Sequence, residues 1–143
     1  MYILKAEHSF DSAHFLAEYE GKCANIHGHR WKVEIEVCSD SLTAGGQLDG
    51  MVVDFSDLKK DVKEMADSCD HALLVQRGTM RENTLQCLKE DGFNIIELDF
   101  RPTAENFSAF FFYEMKSRGY NVKRATVYET PSNCATYEET EAV

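Results

Sequence analysis

Between Tyr2 and Ala13, apolar or small residues fall at Tyr2, Leu4, Ala6 and Phe10, with Lys5, Glu7, Ser9 and Asp11 between them. A period of two predicts a strand. His8, Ser12 and His14 continue its inner parity. A second strand is clearer still. His27, His29, Trp31, Val33, Ile35 and Val37 share one face, and Arg30, Lys32, Glu34 and Glu36 share the other. Such half-buried alternation suits an antiparallel sheet with one wet side.

The spacing then becomes helical. Phe55, Leu58, Val62, Met65 and Cys69 mark one apolar stripe, with Ser56 as the expected N-cap and an end near Ser68. Thr79 followed by Glu82 has the form of a capping box, and Leu85, Leu88 and the stop at Gly92 predict a short second helix. Ile95 to Phe100 reads as a small strand. Pro102 and Thr103 open a third helix through Phe107, Phe110, Phe111 and Met115, closed by Gly119. Val122 to Glu129 alternates again, and Ala135 to Glu138 makes a last short strand. The expected fold is α+β: an antiparallel four-stranded sheet with helices on one face, in the order ββααββ with a short extra helix and strand.

A chain of 143 residues with no internal repeat and no Ser/Gly/Pro-rich linker reads as a single domain, 1–143. Its net charge of −10 argues against a nucleic-acid or anionic-membrane partner, each of which needs a basic face. The start, MYILKAEHSF, lacks the order of a signal peptide, no run reaches the roughly 20 apolar residues of a span, and the five cysteines form no CxxC pair. Reduced thiols in the cytoplasm are the expectation.

Candidate chemistry concentrates on the second strand. His27 and His29, two apart, point to the same face, and His14, at the end of the preceding antiparallel strand, can be brought beside them by one turn. Three neutral imidazoles without a fourth protein ligand describe an open, catalytic zinc site. The competing reading makes them hydrogen-bonded inner-face histidines. Cys23, four residues before His27, is open to three readings: a thiolate base beside the metal, a fourth ligand, or an ordinary loop cysteine. Asp70 and His71 form a carboxylate–imidazole pair suited to a proton relay, or else a helix-end cap and a surface histidine. Glu129 shares parity with Ala125 and Val127, so its carboxylate points to an apolar face and needs a partner. Either the adjacent N–H donors of a pterin or guanine edge or a cationic side chain satisfies it, unless a bulge breaks the parity.

The stretches FDSAHFL, CANIHGH, LDGMVVDFSDLK, CDHALL, FRPTAENF and VYET together resemble the 6-pyruvoyl-tetrahydropterin synthase superfamily, and within it the 6-carboxytetrahydropterin synthase branch of queuosine biosynthesis. The resemblance spans nearly the whole chain. It implies the tunnelling fold, whose subunits close antiparallel barrels and assemble as trimers or hexamers with active sites between subunits. It implies zinc held by His14, His27 and His29, Cys23 as the proton-abstracting base, His71 with Asp70 as a relay, and Glu129 against the pterin ring, with Thr103 and Glu105 of FRPTAENF at the substrate. The implied reaction converts dihydroneopterin triphosphate to 6-carboxytetrahydropterin with loss of triphosphate and acetaldehyde. A pyruvoyl-type enzyme stops before the carbon–carbon cleavage. Trp31 stands where a smaller aromatic is expected, and the segment Gln76 to Asn94 is longer than in compact members. Lys22, Arg30 and Arg101 are the candidates for a basic rim around a triphosphate.

Two rivals come from other classes. Gly21, His27, His29 and Glu34 nearly match a cupin motif, but parity sets Glu34 opposite His29. A non-catalytic, zinc-stabilised pterin-binding module shares every ligand with the enzyme. Uncovered sheet edges and an uncovered sheet face predict a homo-oligomer in either case.

Overall fold

The computed structural model describes residues 1–140. Six strands make one mixed sheet: β1 (Tyr2–His14), β2 (His27–Ser39), β3 (Ala72–Gln76), β4 (Ile95–Leu98), β5 (Val122–Thr130) and β6 (Asn133–Tyr137). Their spatial order is β4-β3-β1-β2-β5-β6. The helices are α1 (Phe55–Asp67), α2 (Glu82–Glu90) and α3 (Ala104–Ser117), and a single 3-10 turn, Lys22–Ala24, precedes β2.

β1, β2, β5 and β6 form the expected antiparallel core of the sheet. The extra short strand expected from Ile95 is present as β4, but the expectation lacked β3, which lies parallel to β1 and pairs parallel with β4, so the sheet is six-stranded and mixed. β3 escaped the period-two reading because ALLVQ is a short apolar run without alternation, the form a strand takes when both faces are covered. Both faces of β3 are indeed covered. Ala72 and Leu74 belong to the main core, while Val75 is buried outside it. Leu73, of Val75's parity, lines a cavity together with Leu88 of α2. The helices therefore do not all share one face: α1 and α3 lie on the main-core side, and α2 covers the other side at the β3–β4 end.

The main core is aromatic and layered. Phe10, Trp31, Val33, Ile35, Ala125 and Val127 from the sheet meet Leu58, Val62 and Met65 of α1 and Phe107, Phe111 and Met115 of α3. Each large side chain buried here contributes roughly 1.5–3 kcal/mol of transfer free energy. The opposite face carries charge, with Glu34 set between Lys5 at 3.6 Å and Lys32 at 3.3 Å, and Arg124 2.9 Å from Glu36.

Helix ends follow local chemistry with two corrections. Asp54, not Ser56, caps α1, its carboxylate accepting from the Ser56 N–H at 2.7 Å. Thr79 caps nothing: α2 begins after Arg81, and the Thr79 hydroxyl instead donates to the Gln76 carbonyl at 2.6 Å. Thr103 does cap α3, accepting from the Asn106 N–H at 3.2 Å.

Candidate active site

The antiparallel register pairs His14 directly with His27, and His29 with Ser12. With inner parity on both strands, the three imidazoles meet at one end of the core face, with ring centroids 4.6 to 5.1 Å apart. One donor nitrogen from each lies within 4.8 Å of the other two. Trp31 forms the floor. It is fully buried, its indole N–H donates to the Ser12 carbonyl at 3.2 Å, and its ring stands edge-on to His14 and His29. The larger aromatic is thus accommodated inside the core, against Phe10 and Phe107.

Hydrogen bonds fix the tautomers. His14 Nδ1 is 2.7 Å from the Pro102 carbonyl and His27 Nδ1 is 2.6 Å from the Asn25 carbonyl. A carbonyl only accepts, so in each ring Nδ1 carries the proton and Nε2 is left with a lone pair. Those two Nε2 atoms face each other at 3.1 Å. His29 Nε2 is buried and, among the described residues, makes no hydrogen bond. His14 is 1% exposed, and its pKa is pushed down to about 4, chiefly by burial, against the raising effect of the Pro102 carbonyl. Burial lowers that of His29 as well, opposed by Glu129. Two Nε2 lone pairs aimed at one another at 3.1 Å, with the buried and unbonded Nε2 of His29 beside them, call for a cation between them. Two nitrogens about 2.05 Å from a tetrahedral zinc stand about 3.3 Å apart, close to the spacing found. The donor set fits a divalent metal of zinc's preferences.

Glu129 arrives at the same place from β5, its Oε1 3.6 Å from His29 Nε2. The carboxylate thus stands beside the histidine triad, half-buried, at a point where the β5–β6 register shifts between Tyr128 and Thr130, and no Lys or Arg pairs with it among the described residues. Cys23 occupies the 3-10 turn before β2, its carbonyl accepting from the Leu16 N–H at 2.9 Å. Its thiol lies outside the group of mutually close donors, which comprises the three histidines alone.

Asp70 and His71 go elsewhere. The Ser12 hydroxyl donates to the Cys69 carbonyl and accepts from the Ala72 N–H at 3.3 Å. Asp70 accepts from the Asp11 N–H at 2.8 Å, and the His71 N–H donates to the Asp11 carbonyl at 2.7 Å. His71 takes a positive φ of 50° in the turn that these bonds clamp against β1. Its imidazole, 82% exposed, is 3.9 Å from Asp70 and close to the carboxylate of Asp11. Asp11 has outer parity, so within one subunit the Asp70–His71 pair and the histidine triad lie on opposite faces of the sheet. A cavity of about 690 Å³ opens there, lined by His71, Arg30, Leu88 and Phe93, and His29 of the triad also contributes to its wall.

Of the remaining candidates, the Thr103 hydroxyl is engaged in the α3 cap, and Glu105 is an exposed first-turn carboxylate. Arg30 pairs with Asp11 at 3.1 Å, Arg101 binds the Ala17 carbonyl at 3.0 Å, and Lys22 is exposed. Glu34 sits on the charged face between lysines, away from His29, and three helices accompany the sheet, so the cupin reading is excluded. The carbonyls of Pro102 and Asn25 were invisible in the sequence, since any residue supplies a carbonyl and only the fold aims it.

A family model described as 6-pyruvoyl tetrahydropterin synthase matches residues 3–140. The chain belongs to the 6-pyruvoyl tetrahydropterin synthase family. It is 36% identical over 145 residues to the 6-carboxy-5,6,7,8-tetrahydropterin synthase of Haemophilus influenzae, covering 97% of this chain and 100% of that protein. The enzyme of the same name from Synechocystis sp. is 31% identical over 139 residues, covering 96% and 93%. Among solved structures, an uncharacterised protein of Wolinella succinogenes superimposes with a TM-score of 0.78 at 18% identity, covering 97% and 98%. The 6-pyruvoyl tetrahydropterin synthase of Caenorhabditis elegans does so at 0.65 with 25% identity, covering 98% of each chain. The chain is thus a homologue of pterin lyases, and its histidine triad is consistent with a metal site of that family. Among the described residues, no helix is long and apolar enough to cross a membrane.

Proposed function

We propose that the protein is a zinc-dependent lyase that converts dihydroneopterin triphosphate to 6-carboxytetrahydropterin, releasing triphosphate and acetaldehyde, in queuosine biosynthesis. The observation that carries this reading is the convergence of three imidazoles and the Glu129 carboxylate at one end of the core face, in a chain related over 97% of its length to a carboxy-type enzyme.

His14, His27 and His29 hold the metal, which when bound serves as a Lewis acid toward substrate oxygens and acidifies the neighbouring C–H. The Pro102 and Asn25 carbonyls hold the ring proton of His14 and His27 on Nδ1, so that Nε2 is the ligating atom. Glu129 receives the N–H donors of the pterin edge in two parallel charge-assisted hydrogen bonds, fixing the ring's orientation. Cys23 takes the proton from carbon, and His71, polarised by Asp70, passes a proton to or from the substrate. Thr103 and Glu105, at the start of α3, are assigned to the substrate's surroundings.

Opposite faces for the triad and the Asp70–His71 pair imply that a complete site takes His71 from a neighbouring subunit. Unpaired strand edges support assembly of a homo-oligomer, a trimer or hexamer. β3 covers β1 only at Ser12–His14, leaving Tyr2 to Phe10 without a strand on that side, and β6 ends the sheet. Five free thiols suit the reducing cytoplasm.

The test is incubation of the zinc-loaded protein with dihydroneopterin triphosphate. Triphosphate and acetaldehyde in equal amounts are expected. Triphosphate without acetaldehyde assigns the pyruvoyl-type reaction, and neither product leaves a pterin-binding module.

A further inference from the structure

Arg101 stands between two parts of the site that the sequence keeps far apart. Its own backbone is fixed, because the Arg101 carbonyl accepts from the Thr103 N–H at 2.8 Å and from the Asn106 side-chain amide at 2.9 Å. The next residue, Pro102, gives its carbonyl to His14. From this anchored position the guanidinium reaches across to the loop between β1 and β2. Nη2 donates to the Ala17 carbonyl at 3.0 Å, a contact spanning 84 positions of sequence, and the guanidinium carbon lies 5.8 Å from the centre of the Tyr19 ring.

That loop carries Cys23, and its other bonds are mostly local, from the Ala24 N–H to the Gly21 carbonyl at 3.2 Å, from the Asn25 N–H to the Lys22 carbonyl at 3.1 Å, and from His27 to the Asn25 carbonyl. One backbone bond closes it, from the Leu16 N–H to the Cys23 carbonyl at 2.9 Å. The turn at Lys22–Ala24 has no side-chain cap and no buried residue. Tyr19 is folded back over Gly21, where a Cβ would come within 2.8 Å of the ring. A planar, permanently charged fork that both donates to the loop backbone and lies near its aromatic ring is suited to holding such a segment.

We infer that Arg101 is a positioning residue that sets the loop bearing Cys23 relative to the metal ligands, through the Ala17 carbonyl and the Tyr19 ring, and that it is not a triphosphate contact. Because residues 101–103 also orient His14 and start α3, one short segment aligns ligand and thiol together. Its catalytic consequence rests on the reading of Cys23 as the reacting thiol; the placement of the loop does not.

The experiment compares the zinc-loaded parent with Arg101→Met and Arg101→Lys. The alkylation rate of each cysteine by iodoacetamide is followed by peptide mass spectrometry, with buried Cys69 as internal reference. Zinc content, Tm, and kcat and KM for triphosphate release are measured beside it. Losing a charged hydrogen bond frees the loop to open, so Arg101→Met is expected to change Cys23 alkylation by about tenfold and to leave Cys69 unchanged. It should also lower kcat with little change in KM or zinc content, and Arg101→Lys should restore part of both effects. A raised KM with unchanged kcat and unchanged Cys23 alkylation would make Arg101 a substrate ligand and overturn the inference. So would a parallel change at Cys69 with a fall in Tm, which marks a general structural role, or no change at all. If the parent shows no turnover, the proposed reaction fails while the alkylation comparison still decides the positioning role.

Discussion

The Nε2 atoms of His14 and His27 face each other across β1 and β2 at 3.1 Å, while each ring turns its Nδ1 to a backbone carbonyl. Both lone pairs are thereby offered to one point in space. His27→Ala or His29→Ala is expected to remove most of one bound zinc per chain, read by elemental analysis. Undiminished metal in both variants would return the rings to plain core histidines.

Cys23→Ala is expected to keep zinc and fold while turnover falls by about 10²–10⁴-fold, the usual worth of a positioned general base. Loss of zinc from that variant would instead make the thiol a fourth ligand.

Among the described residues no Lys or Arg pairs with Glu129, and the proposed function makes the substrate its partner. Glu129→Gln keeps the size but sets an NH₂ group against ring donors, and should weaken binding of a pterin product by at least about tenfold in calorimetry with zinc retained. Unchanged affinity and turnover would leave Glu129 a structural carboxylate beside His29.

The opposite placement of His71 and the triad makes a sharper demand on assembly. Cys23→Ala and His71→Ala should each be inactive alone, yet co-assembled mixed oligomers should regain a fraction of parent activity, because some interfaces then combine an intact thiol with an intact imidazole. A strictly additive, inactive mixture, or a monomer in sedimentation analysis, would place the whole site within one chain.

Asp61 supplies a stability test far from the chemistry. It accepts from Tyr120 at 2.6 Å and from Arg118 at 2.9 Å, tying α1 to the end of α3. The tyrosine hydroxyl first, and then Arg118, hold its carboxyl below the ordinary 3.8. A depressed folded-state pKa adds stability that is complete above the unfolded value and is lost as pH falls through the folded one. Tyr120→Phe should therefore cost on the order of 1 kcal/mol near neutrality and flatten the decline in stability that denaturant titrations show as pH falls below the ordinary carboxylate value. A decline identical to the parent's would show that other carboxylates govern it.

The period of two in β1 and β2 by itself determined the face on which His14, His27 and His29 meet, because strand parity is a local property of the backbone. The helical stripes of α1 and α3 were legible for the same reason, and the capping hydroxyl of Thr103 followed from its place before an apolar helix. β3 was not legible, since a strand buried on both faces has no alternation to read, and with it went the parallel end of the sheet and the position of α2. Parity also says nothing about partners drawn from distant segments. The aim of the Pro102 and Asn25 carbonyls, the reach of Arg101 to Ala17, and the turn that sends His71 to the outer face depend on contacts up to 88 residues apart, so only the tertiary structure decided them.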